Sequence, residues 1–222
     1  MKDNKNLQLS LFRGVKDTQP WPITLDELVT MMRTDQSVRD LTDKHRHARS
    51  VGDKQSAKRY KDMMLSFGIA ALFEGGRRYE HIIGFTGLSL VDIDHIPSED
   101  MERVLTLVRE DPHTLLAYIT LSGQGLRILF RYAVNKTTDC TDYTDLLIDG
   151  SSTQNSYNQC NPRNPWLNNQ EYKQVFEQGN EYYRNLVGLE VDHQCKNIGR
   201  ISTIAYDESL YYNPEATPLS SS

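Results

Sequence analysis

The chain has 222 residues, 25 basic against 30 acidic side chains for a net charge of -5, 38% apolar residues and 13 glycines, and a mean hydropathy of -0.60. That composition fits one modest globular domain, with or without a small appended arm, and excludes wholesale disorder. The longest uncharged apolar stretch, Phe67 to Phe73, is far too short to cross a bilayer, and three cysteines scattered at 140, 160 and 195 do not make a disulfide framework.

No apolar segment of signal-peptide type follows Met1-Lys2-Asp3-Asn4-Lys5, so the expected compartment is the cytoplasm, with no membrane partner. Charge is unevenly distributed. Residues 1 to 80 hold 15 basic and 11 acidic side chains (net +4), and the remainder hold 10 and 19 (net -9). The densest run contains Lys44, Arg46, Arg49, Lys54, Lys58, Arg59 and Lys61 against Asp53 alone, with His45 and His47 interleaved. Such a stripe suits a phosphate backbone, whose counterions it displaces; it equally suits a solvated helix face.

In chain order, Leu7 to Val15 alternates as a short strand and ends in the turn Gln19-Pro20-Trp21-Pro22. Thr24 with Glu27 three residues on is a capping box that opens a helix to about Arg33. A basic helix is expected over 54 to 65, and Gly75-Gly76 breaks the chain. Gly87 to Ile93 reads as a strand, Pro97 to Glu110 as a helix with Val104, Leu105 and Val108 on one side, and Leu115 to Leu121 as a second strand. Ser122-Gly123-Gln124-Gly125 turns it into a third, Leu126 to Ala133. Residues 135–169, rich in Asn, Thr, Ser, Asp and Pro, read as a long loop or insertion; a helix from Asn169 to Leu186 and a last strand from Arg200 to Tyr206 follow, and Pro218 to Ser222 reads as a frayed tail. The expected fold class is α+β: an N-terminal αβ extension over 1–80, then a βαββαβ core of RNA-recognition or ferredoxin-like type over 81–218.

The residues most suggestive of chemistry lie in Leu88-Ser89-Leu90-Val91-Asp92-Ile93-Asp94-His95. Period-two alternation puts Asp92 and Asp94 on one face of a strand and Val91 and Ile93 on the other. Paired carboxylates repel unless a cation intervenes, and a hard divalent ion, Mg²⁺ or Mn²⁺, is the usual remedy; alternatively Asp94 caps the following loop. In the third strand Arg127 and Arg131 share a face with Leu129. An arginine face beside a carboxylate face can hold a metal-bound phosphate chain from both sides, although an arginine on a half-exposed strand is also commonly just solvated. The turn of Ser122, Gly123 and Gly125 lets backbone N–H groups approach a phosphate, and a hairpin needs glycine in any case. Asp192, before Arg200, supplies the third acidic group that two ions would require, or else forms a turn. Cys140, Cys160, His193 and Cys195 contain no Cys-x-x-Cys pair, which argues against zinc.

Taken together, Leu-Val-Asp-Ile-Asp (90 to 94), Ser-Gly-Gln-Gly-Leu-Arg (122 to 127) and the run from Gly188-Leu-Glu-Val-Asp192 to Arg200, Tyr206-Asp207 and Tyr212-Asn213-Pro214 resemble the N-terminal domain of VirE-type proteins on bacterial mobile elements. That domain is similar to the archaeo-eukaryotic primase or primase-polymerase superfamily. The resemblance implies Asp92 and Asp94 as the first metal-binding motif and Asp192 as the third, with two Mg²⁺ or Mn²⁺ ions. The second motif of that superfamily usually offers a histidine to the nucleotide's phosphates; Arg127 stands there in this chain, and an arginine can grip a triphosphate without acting as a neutral imidazole. The resemblance also implies a helicase-type ATPase as a partner subunit or domain, since the sequence holds no Walker A pattern.

The leading expectation is a primase-polymerase-like nucleotidyltransferase serving mobile-element replication. In it Asp92, Asp94 and Asp192 hold the ions, while Ser122, Gly123, Gly125, Arg127, Arg131 and Arg200 hold a nucleoside triphosphate. The 44–61 stripe positions a single-stranded DNA template. One alternative is a non-catalytic single-stranded nucleic-acid-binding module. Another is a metal-dependent phosphohydrolase, whose Asp-x-Asp pattern continues Gly-Thr where this chain has His95-Ile96.

Overall fold

The Thr24 capping box forms as its spacing predicts. The Thr24 hydroxyl accepts from the Glu27 N–H, the Glu27 carboxylate accepts from the Thr24 N–H at 2.8 Å, and a helix starts at once. The computed structural model describes residues 7–133, 169–194 and 196–220. The expected insertion at 135–169 lies outside the described residues up to its last position, and so do Cys140, Cys160 and Cys195.

The first elements are β1 (Gln8–Phe12), β2 (Trp21–Thr24), α1 (Leu25–Thr34), α2 (Gln36–Ser50) and α3 (Lys54–Met63). The basic run thus belongs to two helices. In α2, capped by the Asp35 carboxylate accepting from the Val38 N–H, the residues Val38, Thr42, His45 and Ala48 form the buried side. Next come β3 (Ser66–Gly68), β4 (Ala71–Phe73), a 3₁₀ turn at Tyr79–His81, β5 (Ile82–Phe85), β6 (Leu88–Ile93), α4 (Met101–Glu110), β7 (Thr114–Ile119) and β8 (Leu126–Ala133). The chain closes with α5 (Asn169–Val187), β9 (Ile201–Thr203), β10 (Tyr211–Tyr212) and β11 (Leu219–Ser220). The protein is α+β. Among the described residues no helix is long and apolar enough to cross a membrane.

Two sheets matter for the site. In the first the order is β2-β1-β3-β9, all antiparallel. In the second, β8 is central: β6 pairs antiparallel along one side, β7 pairs antiparallel too, and β10 lies beyond β7. β11 runs parallel with the end of β8, so residues expected to fray are paired at Leu219↔Tyr132 and Ser220↔Ala133.

The second sheet is buried on both faces. Val91 and Ile93 of β6 with Ile128 and Phe130 of β8 pack against Val104 and Val108 of α4 and Val175 and Tyr183 of α5. On the opposite face Leu88, Leu90, Leu116, Tyr118 and Leu129 share a core with Leu9 and Leu11 of β1, Leu28 and Met32 of α1, and Phe67 of β3. Full burial of such side chains stabilises by about 1.5–3 kcal/mol each. The N-terminal extension is therefore the second wall of the core rather than an arm.

One strand departs from the expected order. Ile201–Thr203 does not lie beside the second sheet; it pairs antiparallel with β3 at Ser66↔Thr203, Phe67↔Ser202 and Gly68↔Ile201. After α5 the chain turns at Gly188, where φ is +70°, touches the end of β6 through one backbone hydrogen bond, and continues to the first sheet.

Candidate active site

The β6–β8 register sets Asp92 opposite Arg127, Leu90 opposite Leu129 and Leu88 opposite Arg131. Asp92 and Arg127 share the face that the first sheet covers. Arg127 donates from Nε and Nη2 to Asp92 Oδ2 at 3.2 and 3.0 Å, and from Nη1 to Ser202 Oγ and the Thr203 carbonyl, both at 3.0 Å. Tyr118, opposite Arg127 on β7, donates to the same carbonyl at 3.2 Å and shares a hydrogen bond with Ser202 Oγ at 2.9 Å. The side chains of Arg127 and Asp92 are only 17% and 4% exposed, so this is a buried ion pair. Burial pushes the guanidinium pKa down, and the facing Tyr118 and Asp92 more than offset it, leaving it raised. The Tyr118 hydroxyl is also pushed up, chiefly by its burial.

The two carboxylates of the Asp-x-Asp pair thus have different settings. β6 stops at Ile93, and Asp94 is exposed just beyond it, followed by His95 at a φ of 56°. Asp94 Oδ1 lies 3.3 Å from where a Cβ would sit on Gly125, and that same Cβ would meet the Ile93 carbonyl at 2.6 Å, so only glycine fits opposite the strand end. Asp192 arrives from the other side. Its N–H donates to the Asp92 carbonyl at 2.9 Å, and its Oδ1 accepts from the Gln194 N–H at 2.8 Å.

The glycine turn is built from its own polar groups. Gly123, at a φ of +76°, donates to the Thr120 carbonyl at 2.9 Å, and Ser122 Oγ lies 3.0 Å from Thr120 Oγ1 and accepts from the Gln124 N–H at 3.3 Å. Two members of the basic stripe reach it from α2. Arg46 Nη2 donates to the Thr120 carbonyl at 3.2 Å, and Arg49 Nη2 to Gln124 Oε1 at 3.4 Å. Desolvation holds the Arg46 pKa below its ordinary value, against the opposing pull of Asp207 and Asp43.

Asp92, Asp94, Asp192, Arg127 and the Ser122–Gly125 turn therefore meet at one end of the β6–β8 pair, with Arg46 and Arg49 beside them. The other expected residues do not meet there. Arg131 lies four residues along β8, about 13 Å away at the strand rise, half-buried near Tyr212 and Glu215. Arg200 is half-buried, two residues before Ser202, with its N–H on the Asn197 carbonyl. Lys44, Lys54, Lys58, Arg59 and Lys61 are exposed on α2 and α3. Tyr118, Ser202 and Thr203 are the site residues that the sequence reading missed; a tyrosine at an inward position opposite an inward arginine was the available signal.

Among the described residues no group of three or more His, Cys, Asp and Glu side chains is arranged to hold a metal ion. One atom nevertheless fits a cation: Asp92 Oδ1 is buried without a hydrogen-bond partner among the described residues, while Oδ2 takes both bonds from Arg127. A buried carboxylate oxygen without a donor is costly unless something cationic reaches it.

Comparison with known proteins gives one match. The profile of the family described as BT4734-like, N-terminal domain, matches residues 59–212, from within α3 to the end of β10. No curated protein and no solved structure matches the chain. Since the match covers about two thirds of the 222 residues, the chain belongs to the BT4734-like, N-terminal domain family.

Proposed function

We propose that this chain is a primase-polymerase-like nucleotidyltransferase domain of the VirE N-terminal type, which binds a nucleoside triphosphate and single-stranded DNA with two divalent ions in mobile-element replication. The observation that carries the reading is the Asp192 N–H bonded to the Asp92 carbonyl, which brings acidic residues a hundred positions apart to one strand end beside a glycine turn and three arginines. The order β6-β8-β7 also follows the first, third and second strands of an RNA-recognition-type core, with Val191-Asp192 rather than β9 beside the first.

In this reading Asp92 Oδ1, Asp94 and Asp192 hold Mg²⁺ or Mn²⁺. Two such ions would supply a deprotonated 3′-hydroxyl and neutralise the leaving pyrophosphate. Arg127 neutralises the buried carboxylate of Asp92 and ties it to β9, while Arg46, Arg49 and the Ser122–Gly125 turn are left to face the phosphates. A partner ATPase of helicase type belongs to the same proposal.

The test is template-dependent nucleotide incorporation with Mn²⁺. The native chain extends a primer, and Asp94→Asn, an exposed position, lowers the rate at least about 100-fold, the equivalent of about 3 kcal/mol of barrier. Equal rates would remove Asp94 from the site. The second reading, a non-catalytic single-stranded nucleic-acid-binding module, draws on the Asp92–Arg127 pair, in which the carboxylate already has a partner. It predicts salt-dependent binding of single strands with no incorporation by the native chain.

A further inference from the structure

At the opposite edge of the first sheet from β9, the turn between β1 and β2 borders an open surface cleft of about 590 Å³ lined by Arg13, Asp17, Gln19, Pro20 and Trp21. It lies three strand spacings from β9, about 14 Å across the sheet. Trp21 pairs with Leu11, packs against the core on that side and remains partly exposed, with the Arg13 guanidinium over its ring at 6.0 Å from the centroid. Pro20 and Pro22 flank it, which stiffens the backbone of an edge strand.

The cleft adjoins basic surface. The turn is seated on the end of α3: a Cβ on Gly14 would lie 2.5 Å from the Asp62 carbonyl, and Lys16 pairs with the Asp62 carboxylate at 2.8 Å. Lys58 and Lys61 act on that carboxylate as well, and Arg77 Nη1 donates to the Val15 carbonyl. Asp62 is offset by Lys16, and Asp17 accepts from the N–H groups of Arg13 and Gln19. A partly exposed indole beside a guanidinium, reached along lysines, is the combination that holds unpaired bases: stacking on the planar groups serves any base, and the cations follow the backbone. Paired bases in a duplex are stacked on each other and cannot enter.

We propose that Trp21 and Arg13 form a stacking site for an unpaired base of single-stranded nucleic acid, whose flanking phosphates lie on Lys58 and Lys61. The site is separate from the Asp92 end and does not depend on turnover there.

The test uses the full chain with Trp166→Phe, which leaves Trp21 as the single tryptophan. Single strands of about 12 nucleotides, within the range of known site sizes, are titrated as deoxythymidine and uridine oligomers against a duplex of equal length and a polyglutamate peptide. Both single strands quench Trp21 fluorescence saturably, and the duplex and the peptide do not. In the chain that keeps Trp166, Trp21→Leu, which retains apolar packing, weakens binding of a labelled single strand about tenfold by anisotropy, Trp21→Phe recovers most of it, and Lys58→Gln with Lys61→Gln reduces the salt dependence. Native affinity in Trp21→Leu, or equal quenching by duplex or polyglutamate, would overturn the site. Asp94→Asn keeps the quenching, so loss of incorporation and loss of this site are read separately.

Discussion

Arg127 and Asp92 face each other across the β6–β8 ladder as an ion pair that the first sheet buries, with the guanidinium also holding the Thr203 carbonyl of β9. The same contact that joins two strands of one sheet thereby joins the two sheets.

Breaking that pair from one side leaves an uncompensated buried charge. Arg127→Met is expected to lower stability by about 3–5 kcal/mol, while Asp92→Leu combined with Arg127→Met costs at least about 2 kcal/mol less than the sum of the single changes. Urea denaturation of the four proteins measures this coupling. Additivity within about 0.5 kcal/mol would mean that the pair contributes nothing as a pair.

Asp192→Asn separates docking from ion binding. Asparagine keeps an oxygen for the Gln194 N–H, and the backbone bond to Asp92 does not involve the side chain. The denaturation midpoint should hardly move, whereas Mn²⁺ affinity measured by calorimetry falls about tenfold or more, as loss of one charged ligand implies. A native Mn²⁺ affinity would exclude Asp192 as a ligand.

His45 makes stability depend on pH in a known direction. Its Nδ1 bonds the Ala57 carbonyl at 2.8 Å, and burial, with Arg49, Lys61 and Arg46 nearby, holds its pKa below the ordinary 6.5. The unfolded chain therefore binds the proton first as pH falls. The contribution is full above about 6.5 and declines below it, by at most about 1.4 kcal/mol per pH unit. The difference in unfolding free energy between the native chain and His45→Gln, followed from pH 8 to pH 5, about that span, should shrink toward acid; a constant difference would rule out His45.

Gly179 in α5 sits against Phe130 of β8, where an added Cβ would come within 2.0 Å of the ring. Alanine favours a helix by about 1 kcal/mol, but overpacking costs about 1–3 kcal/mol. Gly179→Ala should therefore be neutral to destabilising, by up to about 2 kcal/mol, and Gly179→Ala with Phe130→Leu should recover part of that loss. A clear gain from Gly179→Ala alone would mean that α5 does not approach β8 as described.

Local signals were legible in the sequence. The capping box, the alternation of β6 and β8 and the apolar side of α4 each depend on neighbours a few residues away and formed as expected, although α4 starts at Met101 rather than Pro97 and β6 stops at Ile93, before Asp94. α2 was missed because its inward side is built from Val38, Thr42, His45 and Ala48, of which only two are apolar. β9 was recognised as a strand but assigned to the other sheet, because alternation specifies which face is buried and says nothing about the neighbouring edge. The acidic motif was visible; that its arginine partner would bond it directly, under a lid of Ser202 and Thr203, follows only from the packing of the two sheets.

The antiparallel pairing of Ser66 with Thr203 joins positions 137 apart. During synthesis β1, β2 and β3 emerge long before their fourth strand, and both Asp92 and Arg127 are synthesised before the strand that covers them. The β3 edge of the first sheet therefore has no partner strand until residues 201–203 have been translated. Its closure is the strand pairing of longest loop among the described residues, and the step at which a ribosome-bound chain is most exposed to pairing with a neighbour.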